Sequence, residues 1–206
     1  MNVAPVGDLE KFGAHVNNPF VGFIPWIIFW VVSSPSTWEW ATLGALIAAV
    51  VLAIPSAERG KVKILDVGSI AFFGVLSLLA VFLNRSELDW VEDYSQAISS
   101  GALALIAFGS LAVMPFTEQY ARESTPPEVW RTPVFKRTNR LLTTMWGTVF
   151  ALGAILGAIA QQTDSSTAHE WLNWIIPIAL VVGAFKFTAW YAERARTRAR
   201  AAAGGA

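Results

Sequence analysis

The side chains able to do chemistry in this chain are few, and their spacing argues against most kinds of it. Cysteine is absent, and the two histidines, His15 and His169, stand far apart. That set builds no thiol nucleophile, no disulfide framework and no zinc-finger spacing. Within apolar stretches an ionisable group is the first candidate for a relay or coupling site, because an unpaired charge at mid-bilayer is costly. Only Lys186, Asp66 and Glu39 come close. Lys186 lies about one turn from Trp190, within snorkelling reach of an interface. Asp66 and Glu39 open apolar runs, where a carboxylate complements the helix dipole. A pump with a carboxylate relay is therefore disfavoured. The remaining polar groups in the spans are hydroxyls: Ser69, Ser77, Ser99, Ser100, Ser110, Thr143, Thr144 and Thr148. These are expected to bond between helices or back to their own backbone. No catalytic, cofactor-binding or metal-ligating residue is expected, and the chain reads as a non-enzyme.

The elements that hold these residues read as membrane helices. Of 206 residues, 54% are hydrophobic and 15% charged, and the apolar ones come in blocks long enough to span a bilayer. Six spans are predicted, at roughly 19–34, 38–55, 65–84, 97–116, 139–160 and 171–191, giving an all-α polytopic bundle over 19–191. The first span is short: about 24 Å of helix against a hydrocarbon core of about 30 Å. Asn18-Pro19 is its start signal, and Ser33 to Thr37 form a tight turn into the second span. Residues 1–18 lack the basic and apolar regions of a signal peptide and form an N-terminal segment. It is either a short tail or an interfacial helix with Leu9, Phe12 and Val16 on one face. Residues 192–206 form an Arg-rich tail.

Orientation follows from counting. With the N-terminus cytoplasmic, 14 of the 15 basic residues fall on the inner side and only Arg85 falls outside. Both termini are then expected inside. Trp38, Trp40, Trp171 and Trp174 are expected at the outer interface, and Trp130, Trp190 and Tyr191 at the inner one. Trp26, Trp30 and Trp146 fall within spans, where packing is the expected role.

The longest polar interruption runs from Pro115 to Trp146 and contains the inner loop 117–138. Glu118 to Glu123 can continue the fourth span as helix until Thr125-Pro126-Pro127 breaks it. Thr132-Pro133 is a cap and first-turn signal for the fifth helix. Lys136, Arg137 and Arg140 then reach headgroup level, where each contributes on the order of 1 kcal/mol of attraction to anionic lipid. Pro25, Pro115 and Pro177 are expected to free carbonyls and kink their helices. Gly153 and Gly157 form a GxxxG that lets another helix approach, with intramolecular packing the expected use. Local matches also hint at three two-helix hairpin repeats. Pro55-Ser-Ala-Glu58 parallels Pro115-Phe-Thr-Glu118, and Ala-Leu-Ile-Ala recurs at 45–48 and 104–107. Common ancestry of the hairpins and coincidence in a small apolar alphabet both account for them.

NPFVGFIPWIIFW in the first span, PFTEQ after the fourth, and PEVW followed by KRTNRLLTTMWGTVF into the fifth resemble the bacterial intracellular septation protein A family in order and spacing, over roughly residues 18–191. The resemblance implies an inner-membrane protein of envelope maintenance or septation, acting without catalysis, and carries over no catalytic residue. The inner loop and tail are longer than that pattern. The partners this implies are anionic membrane lipids and envelope or division proteins, with a homo-oligomer as a further option and no nucleic acid. The competing reading is a small passive channel or transporter built from the hairpin repeats.

Overall fold

The computed structural model describes residues 21–33 and 37–204, and every regular element among them is a helix. The Asn18-Pro19 cap, the helix option for residues 1–18 and the centre of the Ser33 to Thr37 turn lie outside the described residues. The chain divides into two compact units, Met1–Glu92 and Asp93–Ala206.

In the first unit a 3-10 turn, Val21–Phe23, leads into α1, Ile24–Val32. Pro25 occupies the first turn of α1, where a missing N–H removes no helical bond. α2, Trp38–Glu58, carries Glu39 in its first turn and runs through Pro55 near its end. It closes at Gly60, whose φ of 64° suits a residue without Cβ. The Lys61 N–H bonds the Ser56 carbonyl and the Gly60 N–H bonds the Ala57 carbonyl, both at 2.9 Å. This is the Schellman closure, which satisfies two otherwise orphaned carbonyls. α3, Ile64–Phe82, opens with Asp66 in its first turn. α2 packs against both α1 and α3. Trp26, Phe29 and Phe73 are fully buried, and the Trp26 ring stacks on Phe72 at 4.9 Å. The Trp26 Nε1–H donates to Ser69 Oγ at 2.8 Å, and that hydroxyl donates to the Leu65 carbonyl at 2.7 Å. One serine thus satisfies the indole and its own proton together. Trp38 is buried, whereas Trp40 is 71% exposed. Two residues apart on a helix point to nearly opposite faces, so only Trp40 is free to serve as an interfacial ring.

α4, Arg85–Asp93, runs up to the boundary between the units. In the second unit follow α5, Ser95–Val113; α6, Phe116–Ser124; α7, Pro133–Ala160; and α8, Ser166–Glu170. A π turn, Trp171–Ile175, then leads into α9, Ile176–Gly204. The closest helix pair is α5 with α7. A Cβ on Gly157 would lie 3.2 Å from the Ala97 backbone nitrogen, and one on Gly153 would lie 3.4 Å from Ser100 Oγ. Both glycines of the GxxxG therefore face α5 of the same chain, tightly against the Ala97 backbone at Gly157 and against the Ser100 side chain at Gly153. Trp146 Nε1–H donates to Thr188 Oγ1 on α9 at 3.0 Å, and that hydroxyl donates to the Ala184 carbonyl at 2.8 Å. Pro177 stands beyond the π turn with one residue, Ile176, between them. The Ile176 N–H reaches back five residues to the Trp171 carbonyl. Widening the helix by one residue at that point relieves the clash between a proline ring and the carbonyl one turn before it.

Among the described residues, five helical stretches are long and apolar enough to cross a membrane: Trp38–Glu58, Ile64–Phe82, Ser95–Val113, Pro133–Ala160 and Ser166–Arg198; Val21–Val32 is apolar but shorter. Their flanks carry Leu, Ile and Val side chains on the outside, including Leu78, Val81, Leu105 and Ile155. Such surfaces are stable against lipid tails and unstable against water. The described residues form an all-helical structure with the long apolar helices of a membrane protein. The boundary between its units falls at the segment joining predicted spans three and four, the two members of the middle hairpin in the three-hairpin scheme.

Candidate functional site

The polar residues of the second unit converge on the connection from α5 to α7. α5 stops at Val113 because Met114 (φ −153°, ψ 119°) and Pro115 (φ −46°, ψ 130°) are extended. Pro115 therefore separates two helices, with α6 restarting at Phe116. Its first donor is captured by Ser110: the Phe116 N–H donates to Ser110 Oγ at 3.0 Å, and Ser110 donates to the Ala107 carbonyl at 2.6 Å. α6 is then stitched to α7. Thr117 Oγ1 lies 2.8 Å from both the Asn139 carbonyl oxygen and Thr143 Oγ1. Since the carbonyl only accepts, Thr117 donates to it and receives the Thr143 proton. Asn139 Nδ2 bonds the Phe135 carbonyl at 2.9 Å. Thr143 is fully buried and Asn139 nearly so, and each has its partners.

Beyond these stitches lies an ion pair. Glu118, 5% exposed, accepts from Arg122 Nη2 at 2.6 Å and from Arg122 Nε at 3.1 Å. The guanidinium also lies 5.1 Å over the Trp130 ring. Trp130 is held in turn, because its Nε1–H donates to the Thr125 carbonyl at 3.0 Å. Carboxylate, guanidinium and indole thus form one stack joining α6 to the turn before α7. Such a pair, half withdrawn from water and gripped from two sides, is worth more than an exposed i,i+4 bridge. After the 3-10 turn Pro127–Val129, Thr132 caps α7, its Oγ1 accepting the Phe135 N–H at 3.3 Å. Arg122, Pro127, Glu128, Trp130 and Arg131 line an open cleft of about 590 Å³.

Lys136, Arg137 and Arg140 are all exposed on the first two turns of α7, on the face turned away from buried Phe135, Asn139 and Leu142. Their i,i+3 and i,i+4 spacing makes one cationic surface. Sequence reasoning did not anticipate the part played by Thr117, Asn139, Trp130 and Glu128. A legible signal was present in the i,i+4 spacing of Glu118 and Arg122 within a short polar segment. His169 is half-buried. Its Nδ1 lies 3.1 Å from the Ala160 carbonyl at the end of α7, which also accepts the Thr163 N–H at 3.3 Å; since a carbonyl only accepts, that nitrogen carries the proton and donates. The hydroxyls of the long helices mostly serve the backbone: Thr144 bonds the Arg140 carbonyl, Thr148 the Thr144 carbonyl and Ser99 the Gln96 carbonyl. Among the described residues no group of His, Asp and Glu is clustered to hold a metal ion.

The geometry defines a class: a helical membrane protein with a rigid, charge-bearing elbow between two of its long helices. The chain matches no protein-family model, no curated protein and no solved structure.

Proposed function

We propose that this chain is a six-span inner-membrane protein of bacterial envelope maintenance or septation, with both termini cytoplasmic, acting without catalysis through contacts made by the elbow and the Arg-rich tail. The sixth span on this reading is the short helix Val21–Val32. The envelope role rests on the septation protein A resemblance, and the orientation on the partition of basic residues. The observation that carries the interaction reading is the contrast between elbow and interior. The elbow is bonded into one shape by Ser110, Thr117, Glu118 and Trp130 and still presents Arg131, Lys136, Arg137 and Arg140 outward. The hydroxyls Ser69, Ser110, Thr143 and Thr188 are engaged in bonds within the protein. A surface held rigid in advance binds at lower ordering cost. The exposed cations suit anionic headgroups and acidic partner segments alike.

Two measurements test this. Single cysteines at Ser124 and Ser165, both exposed, should differ in intact spheroplasts: a membrane-impermeant thiol reagent should label Ser165→Cys and leave Ser124→Cys untouched. The opposite pattern would reverse the topology. Lys136→Gln, Arg137→Gln and Arg140→Gln combined leave every cap and stitch intact. That variant should insert normally, lose co-purifying anionic lipid and fail to complement cells lacking the chain. Full complementation, together with ion flux through the reconstituted protein, would replace the interaction reading with a passive channel.

A further inference from the structure

The cleft beside the elbow has features that the cationic face of α7 does not share. Its walls hold two guanidiniums, Arg122 and Arg131, one carboxylate, Glu128, and the indole of Trp130. Arg122 spends Nε and Nη2 on Glu118, so Nη1 has no protein acceptor among the described residues. Arg131 and Glu128 are three residues apart and line the same cleft, yet no ion pair joins them and neither has another partner among the described residues. Opposite charges that line one cleft without pairing suit a ligand that carries both signs. Glu118 already neutralises Arg122, which leaves Arg131 and Glu128 to balance each other. A zwitterion matches that arrangement, whereas a dianion would leave Glu128 facing like charge. The volume lies in the range of small-molecule sites.

We propose that this cleft binds a phosphoethanolamine group, the phosphate between Arg122 and Arg131 and the primary ammonium on Glu128. Guanidiniums present paired N–H donors to phosphate oxygens. An ammonium with three N–H donors needs an acceptor, which Glu128 supplies. A quaternary ammonium has no N–H and is held by a cage of aromatic faces. Here there is one indole, and Arg122 already lies over it. The site should therefore prefer ethanolamine to choline. The lipid headgroup and the free phosphomonoester share the phosphate oxygens and the primary ammonium, the free compound carrying up to one further negative charge on its phosphate. The proposal is independent of the envelope reading, since it rests on the cleft alone.

The test uses the full chain in nanodiscs containing equal parts of phosphatidylethanolamine, phosphatidylcholine and phosphatidylglycerol, with retained lipid read by native mass spectrometry. Wild type should retain phosphatidylethanolamine over phosphatidylcholine by about tenfold, the ratio expected from one charge-assisted hydrogen bond. Glu128→Gln should abolish that preference, and Arg131→Gln should lower retention of both lipids. Both side chains are exposed, so neither change threatens folding. The triple Gln variant of Lys136, Arg137 and Arg140 should keep the ethanolamine preference while losing phosphatidylglycerol, which separates this site from the cationic face. Displacement of the lipid by soluble O-phosphoethanolamine would assign the site to the free compound, and resistance to it would assign the lipid; both outcomes retain the recognition chemistry. Equal retention of the two zwitterionic lipids by wild type, or a preference that survives Glu128→Gln, would overturn the proposal.

Discussion

The two units solve the same packing problem with different side chains. In the first, α1 and α3 meet through large rings, with Trp26, Phe29, Phe72 and Phe73 in mutual contact. Gly44 and Gly74 there are not used for close approach: a Cβ on Gly74 would meet nothing within 4 Å, and the nearest atom to one on Gly44 would be in Ile28, at 4.0 Å. In the second, α5 and α7 meet through missing side chains, at Gly153 and Gly157. Between lipid-embedded helices no hydrophobic drive is available, so association must come from dispersion and hydrogen bonds. Dispersion is gained either by interlocking large rings or by bringing backbones within reach of one another. Both units add the same polar device, an indole N–H on a hydroxyl that bonds its own preceding turn: Trp26 to Ser69, and Trp146 to Thr188. The device tolerates either packing style because it satisfies every group within two helices.

The comparison sets expectations for substitutions, read as thermal stability in detergent. Truncating the ring core should have the largest effect. Trp26→Ala should destabilise by about 3 kcal/mol, the lower end for large aromatics, since in lipid the loss is chiefly one of packing. A change below about 1 kcal/mol would show that the ring cluster does not hold the first unit together. Next come the glycines. Gly157→Val meets the Ala97 backbone, which cannot rotate away, and should cost about 1–3 kcal/mol. Gly147→Ala meets only the Phe108 ring, a side chain 39% exposed and able to swing aside, and should cost less. The smallest effect should come from Gly74→Ala, where open space and better helix propensity predict stabilisation of up to about 1 kcal/mol. Loss of stability there would mean that this face of α3 is covered in the membrane.

Much of the helical layout was legible because local rules decide it. Apolar blocks of spanning length marked five of the long helices, and Thr132-Pro133 marked the start of α7, where the threonine caps as expected. Thr125-Pro126-Pro127 stopped α6, as a proline pair must. Pro115 and Pro177 were legible as disturbances but not in kind. One became a break between two helices and the other followed a π turn, because the outcome depends on which groups accept the freed bonds. Ser110 could capture the Phe116 N–H only once the chain had turned.

What the sequence determined by itself was the class, the helices and the sign of each exposed face, since hydropathy and charge are properties of single residues and short windows. Tertiary structure alone decided the pairings. Thr117 and Asn139 are 22 positions apart, and Trp26 and Ser69 are 43 apart. Nothing in either local sequence announces the other, because a hydrogen bond across helices depends on their separation and rotation. The cleft follows the same logic. Arg122 is steered by Glu118 one turn before it and lies over Trp130 across a turn, and that stack lines one cleft with Arg131 and Glu128.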